Sequence, residues 1–224
     1  MAARWTEWGL DRLERNVVSI ERDGGATTVI ANLRTGGGQV IRHERTIRAA
    51  AAGFVVHERV EIPPELTDLA RIGVTLETVA GFEAATWYGR GPHESYPDRK
   101  RGARIGRWAS TVSDLATPYI RPQETGGRAD VRWLELADSD GRRLRLAFDR
   151  PLQVSATHHR AADLASATHD EELAARSTTV VHLDVAHRGL GTASCGPDTL
   201  PAYLVGPGTY AWTWSVAVTG HAAS

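Results

Sequence analysis

The sequence predicts an all-β fold, a large sandwich or barrel, and three observations predict it. Apolar and polar residues alternate with a period of two in short runs along most of the chain. Turn residues, chiefly Gly, Pro and Asp, punctuate these runs at short intervals. Helical patterning is confined to two short stretches, residues 161–168 and 171–175. Roughly ten or more strands with so little helix point to a sandwich or barrel.

Taken in order, residues 16–22 and 27–32 form a hairpin across Asp23-Gly24-Gly25-Ala26, a good tight-turn signal. Residues 39–48 alternate Val40, Arg42 and Glu44 against Ile41, His43 and Arg45. Residues 54–62 follow and stop at Pro63-Pro64, which cannot continue a ladder. Residues 71–79 place Ile72, Val74, Leu76 and Thr78 on one face. Residues 83–89 read as another strand, running into a long loop that extends from 89 to 125. Strands at 130–137 and 142–149 flank the turn Asp138-Ser139-Asp140-Gly141. Residues 152–157, 178–187 and 208–218 complete the set; in the last, Trp212 and Trp214 share a face and are expected in the core. No repeat or low-complexity linker divides the chain. The expectation is one domain over residues 16–224, preceded by an N-terminal extension, residues 1–15.

A chain of 224 residues buries enough surface to fold without disulfides or metals. The net charge of −1, with no long basic or acidic block, argues against a nucleic-acid or membrane-surface role resting on charge. The opening MAARWTEWGLDRLERN carries charges where a signal peptide needs its apolar core, and no stretch approaches a membrane span. Cys195 is the sole cysteine, so an internal disulfide is impossible, and a reducing, cytoplasmic setting is expected.

Signals for chemistry are weak when the residues are read alone. There is no Gly-rich phosphate loop, paired-cysteine metal motif or Gly-x-Ser-x-Gly elbow. His158 and His159 are adjacent, so on a strand they face opposite ways and share a metal poorly. The segment WYGRGPHESYPDRKRGARIGRW, residues 87–108, mixes aromatic rings with Glu94, Asp98 and Arg99. Rings beside carboxylates and guanidinium forks suit sugars, but the same residues also satisfy the backbone of an ordered loop. Residues 117–133 gather Tyr119, Arg121, Gln123, Glu124 and Arg128, which could orient a polyol or form structural ion pairs. Glu94, Asp98 and Glu124 are the carboxylates to test if this chain cleaved glycosides itself. That chemistry needs two carboxyl groups about 5 Å apart or about 6.5 to 9.5 Å apart. The Gly- and Pro-rich segment HRGLGTASCGPDTLP, residues 187–201, carries Cys195, which reads as a small apolar residue.

Three of these motifs in order, WYGRGPHESYPDR, TPYIRPQETG and HRGLGTASCGPDTLP, with GLDRL at the front, resemble the C-terminal small-chain domain of family 2 β-galactosidases. The resemblance covers almost the whole chain. It implies a large antiparallel β-sandwich, the supersandwich of galactose mutarotase-like proteins. It implies a retaining enzyme that hydrolyses galactosides such as lactose, with its catalytic glutamates and main magnesium ligands in a TIM barrel. A barrel needs roughly 250 residues of alternating strand and helix, so no catalytic residue is assigned here. Magnesium and sodium are expected in the complete enzyme, which in this family is often a dimer or tetramer, and no cofactor in this chain. The partner implied is the barrel portion. In the family a loop near the C-terminus walls the sugar pocket with a tryptophan; here Ser194, Cys195 and Gly196 occupy that loop, and Cys195 stands at or beside the tryptophan's place. A thiol offers no ring face, so stacking is weaker or supplied elsewhere. Two alternatives stay open: an independent aldose mutarotase, drawing on His158, His159, Glu124 and Asp98, and a carbohydrate-binding module using Trp212 and Trp214.

Overall fold

A computed structural model describes residues 2–191 and 196–220. Eleven strands carry the fold: β1 (Glu14–Asp23), β2 (Ala26–Arg34), β3 (Val40–Ala50), β4 (Gly53–Ile62), β5 (Arg71–Glu77), β6 (Ala84–Gly91), β7 (Arg104–Thr111), β8 (Arg128–Ala137), β9 (Arg143–Thr157), β10 (Val180–His187) and β11 (Gly208–Thr219). Short helices α1 (Ala2–Trp8), α2 (Val112–Leu115) and α3 (Ala161–Ser166) decorate them. Every strand pairing is antiparallel, in the order β1-β2-β3-β4-β11-β9-β8-β6-β7, with β10 branching from β9 and β5 pairing with β10.

The branch lies within β9. Its residues 143–148 pair with β11, and residues 153–157 pair with β10. Pro151 sits between these two ladders, where its missing N–H breaks neither. Two separate strands, 142–149 and 152–157, were therefore expected where the chain makes one long strand that changes partner. A single core takes Val56 and Trp214 from one arm and Val74 and Leu183 from the other. This is the antiparallel β architecture that the alternation predicts. Trp212 and Trp214, 1% and 6% exposed, lie in the core, so they offer no sugar platform.

Local chemistry explains the turns. Gly24 and Gly25 take φ of 53° and 80°, the positive values that a two-residue hairpin loop between Asp23 and Ala26 requires. The Asp138 carboxylate accepts hydrogen bonds from the N–H groups of Asp140 and Arg142, at 3.0 and 2.9 Å, which shapes the β8–β9 turn.

Three elements were not foreseen. Helix α1 and the residues after it pack Trp8 and Leu10 against the core, and the Trp5 indole donates to the Asp68 carbonyl at 2.6 Å. The long loop expected from 89 to 125 contains β7 and α2. β7 is an edge strand whose inner positions are Gly106, Trp108 and Ser110, so one large apolar residue stands between two small ones and makes no apolar stripe. No helix among the described residues is long and apolar enough to cross a membrane.

Candidate functional site

Three loop regions meet beyond the ends of β6, β8 and β10: residues 92–103, residues 117–127, and residues 188–191 with 196–200. Glu94 joins the first two. Its carboxylate accepts from the Tyr119 hydroxyl, the Arg99 guanidinium and, at 3.1 Å, the Gly126 N–H. Arg99 also lies 5.3 Å from the Tyr96 ring centre. Tyr96 is fully buried, and its hydroxyl accepts from the Gly127 N–H at 3.1 Å. Burial, with Glu124 and Glu94 nearby, pushes the phenol far up, so it stays protonated. Arg90 stiffens the first loop from beneath, donating to Asp130 and to the carbonyls of Lys100 and Ala103. A groove of about 660 Å3 runs along this loop, and its lining includes Pro92, Glu94, Asp98 and Tyr203.

Under the second loop lies a charged cluster. Arg71 on β5 donates to Glu124 and, at 3.4 Å, to Asp184 on β10. His187 holds its Nδ1 2.6 Å from the Arg188 carbonyl, which leaves Nε2 3.8 Å from Glu124 and without a hydrogen bond. Burial works against the charge on Glu124, but the neighbouring His187 and Arg71 side chains hold its carboxyl down at about 2. Burial dominates at Asp184 and pushes its carboxyl up to about 6 despite Arg71. Burial, then Arg71, likewise pushes His182 down to about 4.

The third loop is pinched at its base. Arg188 donates to Asp68 at 2.7 Å, to Thr199 Oγ1 at 2.8 Å and to Asp198 at 2.9 Å, tying the outgoing strand to the returning one. Thr199 Oγ1 donates in turn to the Gly189 carbonyl at 2.7 Å. From the first loop, Asp98 accepts from the N–H groups of Leu190 and Gly191, at 3.1 and 2.8 Å.

The structure therefore brings Glu94, Asp98, Arg99 and Glu124 into one region and gives each a partner within the protein. Arg121 is exposed. Ser194 and Cys195 lie outside the described residues, and Gly196 is exposed on the returning side. His158 faces Glu83 at 2.6 Å and the Thr178 carbonyl at 2.9 Å, while His159 leaves its buried Nδ1 unpaired. Sequence reasoning missed Arg71, Asp184 and Arg188. The available signal was a charge at the start of, within, or just after an otherwise apolar strand run (Arg71, Asp184 and Arg188 respectively), which favours a buried pair. Among the described residues no group of three or more His, Cys, Asp or Glu could hold a metal ion.

Solved structures with a similar shape include a galactose mutarotase-like protein from Lactobacillus casei ATCC 334. It has a TM-score of 0.48, 10% identity, and coverage of 90% of this chain and 72% of that one. A putative aldose 1-epimerase from Escherichia coli K12 gives 0.45 and 11%, with coverage of 93% and 69%. In sequence the chain is 33% identical to a β-galactosidase of Arthrobacter sp. (strain B7) over 216 residues, which is 92% of this chain and 21% of that protein. A β-galactosidase of Aeromonas hydrophila is also 33% identical, covering 94% of this chain and 21% of its own length. The chain thus spans about a fifth of the length of these relatives. The sequence pattern of the β-galactosidase small chain matches residues 1–216, and the chain belongs to that family.

Proposed function

We propose that this chain is the small-chain portion of a retaining β-galactosidase that hydrolyses terminal β-D-galactosides such as lactose. In this reading it forms one wall of the sugar pocket, through the loop holding Ser194, Cys195 and Gly196, and works in a reducing, cytoplasmic setting. The observation that carries the reading is the family match along 1–216 in a chain that spans about a fifth of its relatives. The rest of such an enzyme would supply the nucleophile and acid/base carboxylates, and the magnesium and sodium sites.

The geometry supports this division of labour. Glu94, Asp98 and Glu124 each satisfy donors of this chain, so they serve as joints between loops rather than as an acid and nucleophile facing a sugar. Val17, Val18 and Ile20 on β1 are 50%, 57% and 57% exposed, apolar surface that a larger partner would cover.

The test is hydrolysis of a chromogenic β-galactoside by the isolated chain, and by a chimera in which it replaces the matching segment of the Arthrobacter relative. The expected result is no turnover alone and turnover in the chimera. Turnover by the isolated chain, or a folded but inactive chimera, would overturn the reading.

A further inference from the structure

Arg128, the first residue of β8, is only 6% exposed, yet among the described residues it forms no ion pair. Arg188, equally buried, is met by Asp68 and Asp198. Arg128 has two carbonyls and a ring instead. Its Nη1 donates to the Gly126 and Gly127 carbonyls, at 3.0 and 3.2 Å, and its guanidinium carbon lies 5.1 Å from the Trp87 ring centre. Nε is sealed from solvent without a partner. Nη2 makes no hydrogen bond among the described residues either, and it is not sealed. Burial pushes the guanidinium down to about 10, and Tyr96 and Glu94 offset this only in part. The side chain therefore keeps its charge at neutral pH, and a buried charge without a counter-ion is costly.

The guanidinium lines a pocket of about 250 Å3, formed with the start of the first loop, β7 and α2. We propose that this pocket binds a small hydroxy acid, with the ligand carboxylate on Arg128. Nε and Nη2 form the side-on fork that a carboxylate meets with two parallel bonds, and Nη1 is the nitrogen already spent on the backbone. Water alone does not meet the charge: a separate void of about 10 Å3 beside Arg128 has room for one molecule at most.

The rest of the lining asks for hydroxyl groups on the same ligand. Asp114 gives Oδ2 to the Thr111 hydroxyl at 2.7 Å, which leaves Oδ1 open to accept a hydroxyl proton. The hydroxyls of Ser110 and Thr117 have no partner among the described residues and can serve as donor or acceptor. Glu94 also lines the pocket, but Arg99 and Tyr119 already hold it, so its charge opposes an anion weakly. A cavity below the usual 300–1,000 Å3 or so limits the occupant to one small molecule. The site stands apart from the β-galactosidase reading, because its occupancy is measured without turnover.

The test is calorimetric titration of the isolated chain with D-galacturonate, D-galactose and acetate. Galacturonate should bind at least about tenfold more tightly than galactose, which lacks the carboxylate, and than acetate, which lacks the hydroxyls. Arg128→Met keeps an unbranched stem beside Trp87 and removes the charge, so galacturonate should fall to the affinity of galactose. Ser110→Tyr fills the pocket from the edge strand and leaves Arg128 in place. It should weaken galacturonate by at least about tenfold with the melting temperature held within a few degrees, which keeps the test decisive if Arg128→Met fails to fold. Equal affinity for galacturonate and galactose would overturn the carboxylate contact. Undiminished binding in Ser110→Tyr would place the ligand elsewhere, and no binding of galacturonate at all would leave Arg128 a purely structural cation; either result overturns the site.

Discussion

Arg188 donates from Nε to Oδ1 of Asp68 at 2.7 Å, a pair 120 residues apart in sequence whose side chains are only 7% and 5% exposed. The same guanidinium reaches Asp198, Thr199 and the Gly189 carbonyl, so its donors are matched at a site where an unmatched charge would be costly.

Breaking such a pair by removing one partner costs about 3–5 kcal/mol, because the other charge stays buried. Arg188→Met should therefore lower the melting temperature by about 10 °C, given about 2–4 °C per kcal/mol in a chain of this size. Scanning calorimetry reads this directly. A loss below about 3 °C would mean that water reaches Asp68 when the guanidinium is gone.

The Arg71 cluster predicts a pH dependence whose contributions oppose one another. Glu124, held at about 2 against its ordinary 4.5, lends stability that is complete above 4.5 and is lost as pH falls toward 2. His182, at about 4 against 6.5, lends stability that is complete above 6.5 and is lost as pH falls through 4. Asp184, at about 6 against 3.8, behaves the other way: its contribution is complete below 3.8 and is lost as pH rises through 6. Asp184 and His182 thus largely offset one another between pH 4 and 6. Asp184→Asn removes the offset. Its stability relative to the unsubstituted chain should fall by roughly 2–3 kcal/mol as pH drops from 7 to 4, followed by urea unfolding. A constant difference across that range would mean that the Asp184 carboxyl ionises in the fold just as it does in the unfolded chain.

Tyr96→Phe tests the joint between the first two loops. It leaves the ring in place and strands the Gly127 N–H, whose acceptor is the Tyr96 hydroxyl in a fully buried position. An unsatisfied buried donor costs about 1–3 kcal/mol, to be read as a shift in the urea midpoint at unchanged slope. A neutral outcome would show that another acceptor moves in.

Much of the fold was legible because most strands carry one buried face. The alternation of Ile72, Val74 and Leu76, and of Trp212 and Trp214, follows from the core they line. Edge strand β7 was hidden because Trp108, its one large inward apolar residue, stands between Gly106 and Ser110, too little to make an apolar period. The candidate residues Glu94, Asp98 and Glu124 stood out by type, but their partners lie on other loops and strands. Asp98 meets Leu190 across 92 positions, and Arg71 meets Asp184 across 113. Spacing along one chain carries no trace of such pairs, so their role as joints between loops needed the fold.

The last prediction concerns the partner. The bulge between Val17 and Ser19 keeps β1 from being a flat edge, and Arg15, Glu21 and Arg22 flank its apolar centre with charge. Ile20 pairs with Val29 and Val17 with Ala31, so their exposed side chains continue the inner face of the sheet beyond the core. If the rest of a β-galactosidase covers this face, Ile20→Glu should leave the isolated chain's stability within about 0.5 kcal/mol, as for most surface changes. The same change should weaken the chain's hold on a separately supplied catalytic portion by at least about fivefold, since a central apolar contact costs over about 1 kcal/mol when lost. Analytical ultracentrifugation of the mixed chains measures both partners without relying on turnover. An unchanged affinity would place the contact elsewhere on the chain and leave β1 as an ordinary solvent edge.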